Sequence, residues 1–370
     1  MKFSSLFKSN YYPLNKLEIS ADRLLSNYQF LSNLSDQKIA PVLKSNAYGH
    51  GLITVAKILD NKGAPFFCVD SLYEAYELLK AKITTPILIM GYVNPYNLRV
   101  KSLPFSYVAY DIELVETLNK YQPGANIHIF VDTGMHREGI LLDELSEFLR
   151  YAQKFSRVNI EGLISHFGMA DNPENVLTKM QIENFQKAKK IMAQHTTIPL
   201  KWTHISASDG LLYLQKYIKE VGNLARIGLA LYGFGHEQLK PVLELKTTLA
   251  QIKTLQKGEK IGYDFTFTAP RDMIIGVLPT GYYDGVDRRL SNTGYVTIDG
   301  HACRIIGRVS MNITVIDVSN VINPYVGQEV VVYSHTAEDK NSFSQSAKLC
   351  DTIPYELLVH LSSSTKRKVL

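Results

Sequence analysis

Eight short apolar runs recur along the first two-thirds of the chain, at 39–44, 65–70, 86–91, 105–111, 126–132, 160–166, 200–206 and 224–232. They read as buried strands. Between them lie amphipathic segments such as Leu72–Ala81, Ile112–Tyr121, Leu141–Phe155, Val176–Gln194 and Gly210–Lys219. Apolar residues recur there at three- and four-residue spacing, as at Leu145, Leu149 and Ala152, which predicts helices. Strand followed by helix, repeated about eight times, predicts an α/β fold of the (β/α)8, TIM-like barrel type. A doubly wound open sheet is the alternative, but no glycine-rich dinucleotide loop follows the first strand.

After about Pro241 the pattern changes. Short alternating runs such as Ile274–Leu278, Gly294–Ile298 and Val330–Tyr333 are separated by glycine-containing turns. Asp299-Gly300 is the clearest hairpin signal among them. A mostly β C-terminal domain is predicted over 241–370, after a barrel domain over 1–240, with one helix over Ser342–Leu349. A strand at Lys16–Ile19 (about 14–20) suits either domain, and the pattern does not choose between them.

Composition narrows the class. The 370 residues, 45% hydrophobic and 20% charged, are those of a globular protein with room for two domains. A formal charge of +5 is mild for this length, tolerating an anionic ligand and giving no case for nucleic acid. The closing Lys366-Arg367-Lys368 reads as a solvated tail. Cys68, Cys303 and Cys350 are too few and too scattered for a disulfide framework or a zinc site, so no metal is expected. No apolar run reaches membrane-helix length, and polar residues interrupt the opening ten before a signal core forms. The expected location is the cytoplasm.

The candidate chemistry sits at the ends of the predicted strands. The first run stops at Lys44-Ser45-Asn46-Ala47-Tyr48-Gly49-His50-Gly51. Parallel α/β folds place active sites beyond such strand ends. An amine in a partly desolvated barrel mouth loses basicity and becomes a nucleophile toward a carbonyl. His166 closes the sixth strand, Ser208 follows the seventh, and Arg226 precedes Gly228 and Leu229 in the eighth. A hydroxyl after strand seven and free N–H groups after strand eight form the usual barrel phosphate site.

The octapeptide from Lys44 resembles the pyridoxal-phosphate lysine motif of the alanine racemase family. Later motifs fall in the family's order: Asp132-Thr133-Gly134-Met135-His136-Arg137, Gly281-Tyr282-Tyr283-Asp284-Gly285, Gly307-Arg308-Val309-Ser310-Met311 and Thr352-Ile353-Pro354-Tyr355-Glu356. The resemblance covers nearly the whole chain. It implies a pyridoxal 5'-phosphate enzyme that interconverts L- and D-alanine for peptidoglycan synthesis. Lys44 would hold the cofactor and act as one base, and Tyr263, in Ile261-Gly262-Tyr263-Asp264, as the base on the opposite face. Tyr263 and Met311 would come from the partner of a homodimer. Arg226 would face the pyridine nitrogen with His166 orienting it. Tyr48, Ser208, Gly228, Leu229 and Tyr355 match phosphate positions, Arg137 and the Met311 N–H the substrate-carboxylate positions, and Tyr282, Arg288 and Arg308 the substrate's approach corridor.

The chain also departs from the family pattern. Phe130 stands where the family usually has a lysine that carbon dioxide converts to a carbamate. The arginine that Arg137 resembles is normally braced by that carbamate, so another anion is expected here: chloride, or a carboxylate such as Glu138. Ala207, Asp209 and Asn312 also differ from the usual residues. Serine or broader amino-acid racemisation is therefore an alternative. A pyridoxal-phosphate carrier without catalysis is a further one, although such carriers lack a second domain.

Overall fold

The computed structural model describes residues 12–195 and 199–370. The opening ten residues scanned for a signal core lie outside that range.

The described residues form two units, one over Ala21–Lys240 and the other joining the residues before Ala21 to Pro241–Leu370. In the first, eight short strands follow one another as β1 (Lys38–Pro41), β2 (Phe67–Val69), β3 (Ile87–Ile89), β4 (Phe105–Ala109), β5 (Asn126–Asp132), β6 (Asn159–Ile164), β7 (Trp202–His204) and β8 (Leu224–Ile227). β2 to β7 form one parallel sheet in chain order, and β8 pairs in parallel with β1. A bridge from Val42 to Cys68 joins β1 to β2, and Arg226 N–H donates to Ser206 O at 3.0 Å beside β7, closing the ring. Alternate residues point inward. Ala40, Val42, Cys68, Val108, Phe130 and Ile164 thus meet in one apolar cluster inside the barrel.

Helices cover the outside. Ser71 and Asp111 cap Leu72–Lys80 and Ile112–Tyr121 by accepting the Glu74 and Leu114 N–H groups. The helix expected over Leu141–Phe155 spans only Leu145–Ala152. Its expected first turn is used otherwise, because Ile140–Leu141 pairs with the end of β5. The helix expected over Gly210–Lys219 begins earlier, at Ser208, ends at Tyr213 and gives way to a 3-10 turn over Gln215–Tyr217.

The second unit is mostly β. A six-stranded sheet runs in the order His301–Arg304, Tyr295–Ile298, Glu329–Tyr333, Leu243–Thr248, Lys16–Ile19, Lys366–Val369. A three-stranded sheet joins Gln251–Leu255, Met273–Leu278 and Thr314–Asp317. Asp299 (φ 47°) and Gly300 (φ 79°) turn the hairpin that pairs Ile298 with His301, the positive φ values a tight hairpin requires. Lys16–Ile19 pairs with strands of this unit on both sides. It sets Glu18 opposite Glu244, and Lys246 reconciles these like charges with its Nζ 3.0 Å from each.

The C-terminal basic run is not a solvated tail. Lys366–Val369 is a sheet-edge strand in which Arg367 donates to the carbonyls of Ser362 (3.0 Å) and Thr365 (2.9 Å). Lysines on either side keep that edge charged.

Candidate active site

Strand β1 ends at Pro41, but the chain stays tied to both neighbours: Val42 N–H donates to Ile227 O and Leu43 N–H to Cys68 O, each at 2.8 Å. Lys44 then opens a turn in which Ser45, Asn46, Ala47 and Tyr48 all have φ between 52° and 56°. An L-residue in this left-handed region costs about 1–2 kcal/mol, so surrounding contacts must hold the turn. Glu74 Oε1 accepts the Asn46 N–H at 3.2 Å while Oε2 accepts the Asp70 N–H at 2.9 Å. Asn46 Oδ1 accepts the Leu52 N–H at 2.9 Å. His50 Nδ1 lies 3.0 Å from Ala47 O and 2.9 Å from Tyr48 O, which places its proton on Nδ1 because carbonyls only accept. Its ring stacks on buried Tyr232 at 4.3 Å, and Tyr48 packs on the same ring at 5.1 Å. The Lys44 amine at the head of this turn is 3.8 Å from Asp70 Oδ1.

Arg226 points from β8 into the barrel and is buried. Its Nη1 donates to His204 O at 2.8 Å and lies 2.9 Å from His204 Nδ1. Its Nη2 donates to Ser165 O at 2.7 Å and lies 3.2 Å from His166 Nδ1. Guanidinium only donates, so both Nδ1 atoms accept and both imidazoles are neutral with the proton on Nε2. His204 Nε2–H therefore donates to His128 Nδ1, 2.8 Å away, and His128 Nε2–H faces Glu161 Oε2 at 3.6 Å.

The electrostatics agree with this proton assignment. Burial, then the Arg226 charge, pushes His166 down to about 3 and His204 well below the usual imidazole range. Burial lowers His128 as well, and lowers Arg226 itself to about 10. His128 and Lys201 (2.9 Å away) hold Glu161 at about 2.

Around the same barrel end, Ser208 opens its helix and its Oγ accepts the Ala230 N–H at 3.2 Å. Leu229 opens a 3-10 turn whose first N–H groups have no partner within it. Gly228 faces the Tyr48 hydroxyl so closely that a Cβ there would lie 2.3 Å from it. The absent side chain lets the phenol press against this backbone, so that a phenol, a serine and backbone N–H groups form a donor cradle that suits a phosphate group.

Asp132, at the end of β5, folds the next loop back on itself. Its Oδ1 accepts N–H groups from Gly134 (2.8 Å), Met135 (3.0 Å) and His136 (3.1 Å), and Oδ2 pairs with His136 Nδ1 at 3.2 Å. Burial raises the Asp132 carboxyl, but those donors outweigh it and hold the group below the ordinary range. Arg137 follows, with its Nη2 2.9 Å from Glu138 Oε1.

In the second unit the remaining predicted residues lie on loops. Tyr263 is 69% exposed on a short turn, and Met311 and Tyr282 are also exposed. Tyr282 N–H donates to Ser310 O (3.0 Å) and Tyr283 N–H to Met311 O (2.9 Å), which joins those two loops. Gly281 allows the approach, since a Cβ there would sit 2.1 Å from Ser310 O. Arg308 Nε lies 3.5 Å from Asp264 Oδ2, next to Tyr263. Arg288 is exposed at the head of a 3-10 turn, and Tyr355 is half-buried on the helix Pro354–Val359.

The sequence reading missed His204, His128, Glu161 and Glu74. A histidine inside an apolar run, as in Ile127-His128-Ile129, was the available signal for the buried pair. No metal-ligand group of His, Cys, Asp and Glu occurs among the described residues, and none of their helices is long and apolar enough to cross a membrane.

Comparison with known proteins bears on both units. Residues 19–235 match the family model for the alanine racemase N-terminal domain, and residues 242–369 that for the C-terminal domain. An alanine racemase from Clostridium tetani is 33% identical over 367 residues, covering 95% of this chain and 94% of that protein. Among solved structures, alanine racemase from Clostridium difficile 630 is similar at a TM-score of 0.89 and 26% identity, covering 97% of this chain and 96% of that one. The Bacillus anthracis alanine racemase with bound L-Ala-P is similar at 0.88 and 29% identity, covering 98% and 96%.

Proposed function

The chain belongs to the alanine racemase family, and from that premise we propose that it interconverts L- and D-alanine with pyridoxal 5'-phosphate, using Lys44 and Tyr263 as opposed bases. The observation that carries the reading is the convergence at one barrel end of the Lys44 amine, the Arg226–His166 pair and the Gly228 cradle. Those residues fit the cofactor. Tyr48, Ser208, Gly228 and Leu229 would hold its phosphate together with Tyr355, and Lys44 its aldehyde carbon. When bound, it supplies a conjugated ring that draws electrons from the substrate Cα.

The chain's own groups do the rest. Lys44 Nζ takes or returns the Cα proton on one face, and Tyr263 Oη does so on the other. Racemisation needs both, because the proton must leave from one side and arrive on the opposite side. Arg226, lowered to about 10, still carries its charge at neutral pH and releases no proton. Set against the ring nitrogen it would leave that nitrogen unprotonated and so moderate the electron withdrawal the ring supplies. His166 accepts from Arg226 and fixes its plane.

Arg137 and the Met311 N–H would hold the substrate carboxylate, with Tyr282, Arg288 and Arg308 along its approach. The working form would be a homodimer in which Tyr263 and Met311 serve the partner's site; their exposure within one chain supports this. The three cysteines are buried and unpaired, which fits a reducing cytoplasm. The product D-alanine would enter peptidoglycan precursors.

The test is the circular dichroism of L-alanine with cofactor-loaded protein, followed over time beside serine. Decay to zero for alanine is expected. A persistent signal for alanine would refute the assignment, and faster decay for serine would move the substrate.

A further inference from the structure

Building on the reading of Arg137 as the carboxylate-binding residue, we propose that Glu138 is the resident anion that positions Arg137, so that substrate recognition draws no anion from solution. The Arg137 Nη2–Glu138 Oε1 distance is 2.9 Å, and no other carboxylate pairs with Arg137 among the described residues. The next nearest acid along the chain, Asp132, is already committed to three backbone N–H groups and His136. Within that grip His136 sits at φ 54°. Phe130, Asp132, Arg137, Glu138, Ser165 and His166 then line a single depression.

The strand supplies no charge at that point, because Phe130 completes the apolar cluster inside the barrel. The counter-charge comes from the loop instead. Arg137 and Glu138 also lie within electrostatic reach of Arg226, with opposite effects: the first lowers its basicity and the second raises it. The side chains of Arg137 and Glu138 are 52% and 36% exposed, and a pair so open to water adds little to fold stability. Glu138 is therefore a positioning residue, acting on substrate through Arg137, and its removal should show in carboxylate binding rather than in melting temperature.

The experiment compares cofactor-loaded wild type, Glu138→Gln, Glu138→Asp and Arg137→Ala in chloride-free buffer and with added chloride. It measures KM and kcat for L-alanine, the Kd of propionate by calorimetry, and Tm. For Glu138→Gln, KM and the propionate Kd should each rise about tenfold, with kcat less affected and Tm unchanged. Added chloride should recover part of that loss in Glu138→Gln and leave wild type unaltered, and Glu138→Asp should lie close to wild type. If Glu138→Gln keeps wild-type KM and Kd while Arg137→Ala loses propionate, the role of Glu138 is refuted and the reading of Arg137 stands. If Arg137→Ala binds propionate as wild type does, the reading of Arg137 fails and the proposal fails with it.

Discussion

The turn after Lys44 and the turn that carries Tyr263 share a backbone feature in opposite surroundings. Both hold non-glycine residues at positive φ: Ser45 to Tyr48 in the first, Asp264 (59°) and Phe265 (48°) in the second. In the barrel, a carboxylate, an amide side chain and an imidazole bond to the turn, and two rings pack on Tyr232. The second turn keeps Tyr263 69% and Phe265 65% exposed, tied by Phe265 N–H to Gly262 O at 3.2 Å and by Asp264 to Arg308 at 3.5 Å. The first proposed base is thus set within its own unit. The second sits on a strained, open aromatic surface, which the proposed second copy would cover.

The largest expected effect separates the two bases. Tyr263→Phe should slow racemisation about 10²–10⁴-fold, equally from either enantiomer because the equilibrium constant is fixed. Exchange of the Cα hydrogen with deuterated water should instead become one-sided, persisting for the enantiomer that Lys44 deprotonates and failing for the other. Exchange that stays symmetrical would show that the two turns do not carry opposed bases.

Next comes the hold on the Lys44 turn. Glu74→Ala leaves the Asn46 and Asp70 N–H groups without their acceptor, at a cost of about 1–3 kcal/mol. Chemical denaturation should show that loss and cofactor titration a weaker affinity, with Glu74→Gln milder in both. An unchanged stability would mean the barrel turn is no better braced than the exposed one.

Acid should then reach the barrel through its histidines. Between about pH 6.5 and 3 the unfolded chain binds a proton at His166 that the folded chain refuses, so stability falls as pH drops. The slope is about 1.4 kcal/mol per pH unit for each such group. His204 and His128, lowered in the same direction, start from the same upper limit. His166→Gln should remove one proton's share of the slope in denaturant midpoints measured against pH.

The smallest effect belongs to the open turn. Asp264→Ala breaks a single exposed ion pair and should change the unfolding free energy by less than about 0.5 kcal/mol. A larger loss in denaturation would show that turn to be tied as firmly as the other.

What could be read from the chain follows the same division. The barrel strands are legible because burial on both faces leaves continuous apolar runs, and strand ends such as Lys44 and His166 follow from them. The backbone of Ser45–Tyr48 is not legible, since ordinary residues stand where glycine would announce positive φ. Its supports are scattered: Glu74 reads as a helix-surface acid until the fold brings Asn46 to it. His128 and His204 are 76 residues apart, and only barrel closure makes them partners. Lys366-Arg367-Lys368 misleads because charge suggests solvent, whereas pairing with Lys16–Ile19 is a backbone property that charge does not reveal.

The conformation of Ser45 has a stereochemical consequence. A φ of 56° strains an L-residue but is the relaxed state of its mirror image. Ser45 is exposed, so inverting its α-carbon would sacrifice little packing. A semisynthetic chain with D-serine at that one position should shed about 1–2 kcal/mol of strain. Beside the lysine proposed to invert amino acids, the backbone is thus folded as D-residues fold, and a single inverted centre would make the turn more stable than the natural one.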